Sequence, residues 1–251
     1  MHVLALEFPP IGEIVEWKNI VAGLNKPSIL YFASTIITLT LFFVAARKGS
    51  LVPKGVQNII ESGVEFVRDG IIMQTIGEDG LGWMPYLTTL FFFLLFANLF
   101  EIIPPIFFPP TSRMAMPMTL ALITWVLYNF MGIKSQGFGG YLKSNLFPPG
   151  VPKALYILVT PIEALSNFIV RPFSLMVRLF ANELAGHLLL VTFSVLTAAL
   201  FAKSFLVVIM PLSFAMLCAM FMFELLVAVL QAFIFTILTA VYIGLVVHPE
   251  H

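Results

Sequence analysis

Two long apolar runs near the C-terminus constrain the fold of this 251-residue chain more than any other feature. Residues 154–201 and 205–247 are almost uninterrupted in their apolar character over about 48 and about 43 positions. As helices they would each measure about 65–70 Å, against about 30 Å of bilayer hydrocarbon. Each run therefore forms either two tightly joined spans or one long, strongly tilted helix. No turn residues surround Glu224, and the one proline after Arg171 would kink a helix rather than end it, so the long helices are favoured.

The chain as a whole has the composition of an integral membrane protein. Of its residues, 60% are hydrophobic and 10% are charged, and the mean hydropathy is +1.01. The sequence predicts an all-α integral membrane protein with about five transmembrane helices and one interfacial amphipathic helix. Its single membrane domain comprises an external N-terminal segment (1–26), a first span (27–46), the amphipathic helix (53–73), a helical hairpin (83–133), a glycine-rich loop and the two long helices (154–247).

Residues 53–73 are too polar to span a bilayer but are apolar on one side. Val56, Ile59, Ile60, Val64 and Val67 recur at steps of three or four, and charged residues fall between them. This spacing is typical of an amphipathic helix that lies along the membrane surface.

Lysine and arginine predict the orientation, because loops rich in these residues stay on the cytoplasmic side. The loops after the first and third spans hold Arg47, Lys48, Lys134, Lys143 and Lys153, among others. With five spans, these loops share one side of the membrane. The N-terminus is therefore expected outside the cell and the C-terminus in the cytoplasm.

Arg178 lies inside the first long apolar run. A guanidinium at the centre of a bilayer costs at least about 2.5–3.5 kcal/mol, and packing does not require this cost, since leucine would fit there without it. Arginine remains protonated at any physiological pH, so Arg178 cannot carry protons. We interpret it as a fixed positive charge that an anionic group visits.

Other polar residues share helical faces with Arg178 or lie beside it. One stripe of the first long helix, at steps of three and four, comprises Arg171, Ser174, Arg178, Asn182 and Ala185. Glu183 and His187 form a pair on a neighbouring face, and Glu163 lies about four turns before Arg178. A polar stripe on an apolar helix must face protein or water rather than lipid.

The second long helix carries a matching polar face. Glu224, Ala228 and Gln231 lie on it, and Tyr242 follows further along. Glutamate and histidine can exchange protons near neutral pH once their environments shift them, whereas arginine cannot. The pattern therefore predicts proton-accepting groups beside a fixed positive barrier.

Purely structural roles remain open for several of these residues. Arg171 could cap or snorkel at a helix end, and Glu183 could pair with Arg178 or Lys203. His187 could be a hydrogen-bonded core residue, and Gln231 could join two helices.

Several other classes of protein are excluded or disfavoured. The 13 basic and 13 acidic residues balance, so no nucleic-acid partner is indicated, and no Walker-type motif is present. One histidine, His187, lies in a membrane segment, which excludes a bis-histidine haem within this chain. We expect no cofactor and no metal. A proton-coupled secondary transporter is the competing class, but its halves would show corresponding broken helices, and here the halves differ.

Two blocks of the sequence resemble subunit a of the F-type ATP synthase: RLFANELAGH at 178–187 and LQAFIFTILTAVY at 230–242. NLFEIIP at 98–104 and Pro110-Thr111 also fit the family, and the resemblance runs from about residue 27 to the C-terminus. It implies a non-catalytic stator subunit of the bacterial plasma membrane, whose last two helices are long and strongly tilted. Its implied partners are the lipid bilayer, a rotating ring of c subunits and peripheral-stalk b-type subunits. Two proton half-channels would couple proton flow to ring rotation and ATP synthesis.

The resemblance also implies roles for individual residues. The arginine that faces the ring carboxylate corresponds to Arg178, and the glutamine that faces this arginine from the last helix corresponds to Gln231. Asn182 matches a polar position that lines the channel. His187 and Glu224 match a coupled pair that many bacterial members carry in the opposite order. Proton translocation is expected to use these five residues.

One departure from the family concerns the turn before the third span. Many members have an acidic residue shortly after the Pro-Thr pair, where this chain has SR at 112–113. Proton access on that side is expected to use Glu101, Glu163 or Glu183 instead. Further candidates for the lining of the path are Arg171, Ser174 and Tyr242.

Overall fold

The structure is a computed structural model that describes residues 25–47, 54–103, 106–147, 151–152, 155–201 and 205–247. These residues form helices and turns without a β-strand, which confirms the predicted all-α class. The predicted external segment 1–26 lies outside them except for its last two residues. The α-helices longer than one turn are α1 (Lys26–Arg47), α2 (Val56–Val67), α3 (Met84–Leu99), α4 (Ala115–Leu146), α5 (Tyr156–Leu165), α6 (Arg171–Phe201) and α7 (Met210–Val247).

Five helical stretches of the described chain are long and apolar enough to cross a membrane, so the chain is an integral membrane protein. They are Lys26–Arg47, Glu78–Leu99, Ala115–Leu146, Tyr156–Phe201 and Val207–Val247. Each is long enough to cross the hydrocarbon core of a bilayer. A helix suits this setting because it satisfies its backbone hydrogen bonds internally where water is absent.

Both C-terminal apolar runs form long continuous helices. A π-helical turn, Ser166–Val170, joins α5 to α6 into a 46-residue stretch that passes through Pro172. Helix α7 passes through Glu224 without a break over 38 residues. The alternative of two tightly joined spans in each run is therefore wrong.

Helix α2 is amphipathic, as its spacing predicts. Ile60 and Val67 are buried, and a following π-helical turn, Arg68–Ile72, continues the buried side, while Glu61 is exposed. Arg68 Nε lies 2.8 Å from Asp69 Oδ1, and this hydrogen bond holds the pKa of the exposed Asp69 carboxyl below its ordinary value. The position of α2 at the membrane surface stays a prediction.

The glycine-rich segment after Ile133 is helical, so the expectation of a loop there is wrong for residues up to Leu146. Helix α4 consists of two helical segments that meet at a kink at Gly137, whose φ of 72° and ψ of 160° are not helical. Glycine adopts this backbone conformation without steric cost. Tyr141 then packs back onto Gly132, where a Cβ would overlap its ring. This tertiary contact outweighs the low helix propensity of the glycines.

Contacts between distant segments define the two ends of the bundle. At one, the Val246 end, Gln136 Nε2 donates to Val246 O at 2.9 Å, and Gly244 packs against the Thr75 carbonyl. At the other, the Lys26 end, Lys26 Nζ donates to Ile106 O at 2.8 Å. The polar residues of α6 and α7 are distributed between these ends.

Candidate functional site

Arg178 lies near the middle of the stretch Tyr156–Phe201 and is half-buried. Within the described chain, the ion pairs are Arg68 with Asp69 and His187 with Glu101, and no hydrogen bond reaches the Arg178 guanidinium. Its permanent charge therefore has no compensating carboxylate among these residues. The alternative that Glu183 pairs with Arg178 is wrong, and Lys203 lies outside the described residues.

Asn182 joins α6 to α7 one turn beyond Arg178. Its Nδ2 donates to Gln231 Oε1 at 3.0 Å, and Gln231 is 2% exposed whereas Asn182 lies at the surface. The interpretation that Gln231 connects two helices agrees with this contact.

Four ionisable side chains meet between α6, α7 and the end of α3. We call Glu101, Glu183, His187 and Glu224 the carboxylate–histidine cluster; all four are at most 6% exposed. His187 Nδ1 lies 3.7 Å from Glu101 Oε1, and Glu183 interacts electrostatically with both Glu101 and Glu224. Oε1 of Glu101 and of Glu183 accepts no hydrogen bond from the described residues. The cluster thus brings three carboxyl groups and one imidazole, each able to bind a proton, into one buried site.

Gly186 makes the space that the Glu224 carboxylate occupies. A Cβ built on Gly186 would overlap both oxygens of that carboxylate. Any larger residue would displace Glu224, so the small side chain allows the close approach of α6 and α7 at the cluster. Small residues serve close helix contact in the same way in other membrane proteins.

The segment 106–113 covers the cluster at the Lys26 end. Phe108 is fully buried, and its ring meets the His187 ring edge-on with centroids 5.6 Å apart. Lys26 Nζ lies 5.5 Å from the centroid of the same ring. Thr111 Oγ1 donates to Asn98 Oδ1 at 3.0 Å and so ties the segment to α3. An apolar ring thus separates the histidine from a cation.

A second polar region lies on the opposite side of Arg178, towards the Val246 end. We call Glu163, Asn167, Arg171 and Tyr242 the Glu163 region. Asn167 Nδ2 lies 3.4 Å from Glu163 Oε2, and the Arg171 guanidinium stacks over the Tyr242 ring at 5.5 Å. Two ionisable regions therefore flank Arg178 along α5 and α6.

The predicted site residues thus divide into groups. Glu101 and Glu183 join His187 and Glu224, whereas Glu163 lies elsewhere, so these three carboxylates do not line one route. Ser174 is half-buried between Arg171 and Arg178. No group of three or more acidic, histidine or cysteine residues in the described ranges is arranged to hold a metal ion.

Sequence reasoning missed three residues: Phe108 and Asn167 in these regions, and Tyr128, whose hydroxyl donates to Asn167 O at 2.9 Å. Asn167 had a signal, because it lies four positions from both Glu163 and Arg171 within an apolar run. Phe108 and Tyr128 are aromatic residues in an aromatic-rich chain, so nothing local distinguishes them.

These observations define a class: a polytopic α-helical membrane protein with ionisable residues buried between its two C-terminal helices, α6 and α7. The sequence matches the family described as ATP synthase A chain over residues 28–244, and the chain belongs to this family. The resemblance of the two C-terminal blocks is thereby confirmed.

Proteins named ATP synthase subunit a from three bacteria are similar to this chain. The Hyphomonas neptunium protein is 37% identical over 100% of this chain and 99% of its own length. The Rhodococcus erythropolis protein is 41% identical over 90% of this chain and 84% of its own length. The Frankia alni protein is 46% identical over 68% of this chain, which spans 60% of that relative.

Proposed function

We propose that this chain is the stator subunit of a rotary ATP synthase that couples proton flow to rotation of a c-subunit ring. One observation carries the proposal: half-buried Arg178 has no partner among the described residues and lies between two ionisable regions directed towards opposite ends of the bundle. A fixed cation between two proton-accepting regions suits a proton path in which protons must not pass directly from one region to the other.

Arg178 would act by electrostatics alone. A ring carboxylate that arrives deprotonated needs a positive partner at membrane depth, and the arginine supplies it. Because arginine does not release its proton, it also blocks direct transfer between the two regions. No bond-making step takes place on this chain.

The carboxylate–histidine cluster would form the outer half-channel. Neighbouring buried carboxyl groups cannot all be ionised together, so they share and exchange protons with a nearby imidazole. A proton from this cluster would neutralise a ring carboxylate, which could then face lipid as the ring turns. The Glu163 region would form the inner half-channel, where the carboxylate releases its proton after nearly a full turn.

The orientation follows from the positive-inside rule. The Val246 end holds Lys134 and the C-terminal part of α7, and we assign it to the cytoplasm of a bacterial cell. The Lys26 end then lies outside. We assign a c-ring as the partner opposite Arg178 and peripheral-stalk b-type subunits as further partners.

Reconstituted membrane sectors test this function. Liposomes containing this chain, its c-ring and its stalk subunits should conduct protons when a potassium diffusion potential is imposed, and liposomes with the c-ring alone should not. The measurement is the quenching of an internal pH dye. Equal conductance without this chain would contradict the proposal, and conductance of Na⁺ alone would contradict the choice of ion.

Glu101→Gln should lower proton flux about tenfold. Positioned acid–base groups contribute about a hundredfold or more to proton transfer, and the carboxyls of Glu183 and Glu224 would compensate in part. The measurement is passive flux in vesicles of known complex content. Glu61→Gln, at an exposed position of α2, is the matched control and should leave flux unchanged. If Glu101→Gln and Glu163→Gln both conduct like wild type, these carboxylates are not the access route.

A further inference from the structure

The π-helical turn Ser166–Val170 interrupts the stretch that carries both Glu163 and Arg178. Such turns insert one extra residue into an α-helix and occur frequently at functional sites. One residue corresponds to about 100° of rotation at about 3.6 residues per turn. The turn therefore sets the angle between the side chains before it and those after it.

The sequence explains which carbonyl the turn leaves without a helical partner. The Arg171 N–H donates to Ser166 O, five residues earlier. In the same register the donor for Asn167 O would come from residue 172, which is a proline without an N–H. A buried carbonyl in this situation needs another donor.

Tyr128 of α4 provides that donor. Its hydroxyl donates to Asn167 O at 2.9 Å, and the tyrosine is 2% exposed. The Tyr128 ring also meets the Tyr242 ring with centroids 5.7 Å apart, and the Arg171 guanidinium stacks on the Tyr242 ring. One side chain thus links α4, α7 and the π-helical turn.

The Asn167 side chain is directed towards Glu163. Its Nδ2 donates to Asn145 O at 3.2 Å and lies 3.4 Å from Glu163 Oε2. Asn167 is 3% exposed, and its Oδ1 accepts no hydrogen bond from the described residues.

We propose that Tyr128 is a positioning residue, which through the π-helical turn holds Glu163 and Asn167 at the angle to Arg178 that the inner proton route requires. This inference rests on the proposed function, because the angle matters only if protons pass these residues. Tyr128 itself carries no proton in this scheme. It acts by holding the Asn167 carbonyl that Pro172 leaves unpaired.

Tyr128→Phe tests the proposal in inverted membrane vesicles that carry the whole ATP synthase, with assembly measured by blotting. The substitution removes one hydroxyl, and we expect ATP-driven proton flux to fall about tenfold, the factor that one hydrogen bond represents. Tyr86→Phe is the matched control, because its hydroxyl lies 3.4 Å from Thr124 Oγ1, away from the turn, and its flux should be unchanged. Wild-type flux in assembled Tyr128→Phe overturns the proposal.

A second measurement separates positioning from general stability. In a Cys218→Ser background, Glu163→Cys is labelled by a membrane-impermeant cationic thiol reagent added to the cytoplasmic face. Adding Tyr128→Phe should slow this labelling, because the residue turns away from the water route, whereas adding Tyr86→Phe should not. Equal labelling rates in the two assembled variants overturn the proposal.

Deletion of Ile169 tests the turn itself. Ile169 is 58% exposed, and its removal leaves the residue count of a plain α-helix. The assembled deletion variant should lose proton flux, and retained flux overturns the proposal; if this variant does not assemble, Tyr128→Phe decides. Arg178→Ala in the same assay distinguishes failure of the proposed function from failure of this inference. Normal pumping by the Arg178→Ala variant would contradict the proposed function. Impaired pumping by Arg178→Ala together with normal pumping by Tyr128→Phe would contradict only this inference.

Discussion

Arg178→Ala is expected to abolish ATP-driven proton pumping while the complex still assembles. An ion pair at 4 Å is worth about 4 kcal/mol at an effective dielectric constant of 20, which corresponds to roughly a thousandfold. Without the arginine, a deprotonated ring carboxylate would have no positive partner at membrane depth. The measurement is ATP-driven acidification of inverted vesicles, with subunit content checked by blotting.

Arg68→Ala is the matched control for this substitution. It removes an equal charge from an arginine that is paired with Asp69 outside the site, so pumping should continue. Arg178→Lys keeps a positive charge but places a different, protonatable group there, and should also impair pumping severely. Pumping at the wild-type rate in assembled Arg178→Ala would show that the arginine is merely structural.

The second large effect concerns His187 of α6 and Glu224 of α7, which interact electrostatically within the carboxylate–histidine cluster. His187→Glu alone adds a fourth carboxyl to the cluster, and Glu224→His alone adds a second imidazole. Each should lower proton flux about a hundredfold, the usual contribution of a positioned acid–base group. The double exchange should restore flux to within about tenfold of wild type. This rescue is expected because the proposed proton path needs one carboxyl and one imidazole at these two positions, whichever helix carries each.

A neutral exchange across the same pair of helices controls for packing. Thr197 and Ser213 hydrogen-bond to each other at 2.8 Å, and Thr197→Ser with Ser213→Thr should leave flux unchanged. Passive flux and ATP-driven pumping are measured for all variants in one membrane preparation. If the double exchange conducts no better than the weaker single variant, the two residues do not form a functional pair.

The spans were predictable because their signal is local. A membrane helix is required wherever a long apolar run occurs, since no other open structure satisfies the backbone in lipid. The periodicity of three and four residues likewise predicted that Glu224 and Gln231 share a buried face. Local signals failed at residues 134–146, where the glycines suggested a loop and the contact of Tyr141 with Gly132 maintains a kinked helix.

The candidate site was predictable in its residues but not in its grouping. The free-energy cost of a charged guanidinium within the bilayer was enough to single out Arg178. Helical spacing placed Glu183 beside His187. Nothing in the spacing could bring Glu101 to His187 or keep Glu163 away from both. Those relations depend on how α3, α5 and α6 pack, and packing joins segments that are distant along the chain.

The sequence by itself determined the all-α membrane class and the arginine at membrane depth, and it favoured the long C-terminal helices, because hydrophobic length and the cost of a charge in lipid act residue by residue. Only the tertiary structure decided that four ionisable groups share one side of Arg178, that Phe108 covers them, and that Tyr128 holds the π-helical turn on the other side. These features follow from contacts between helices, which depend on shape and hydrogen-bond geometry rather than on local pattern.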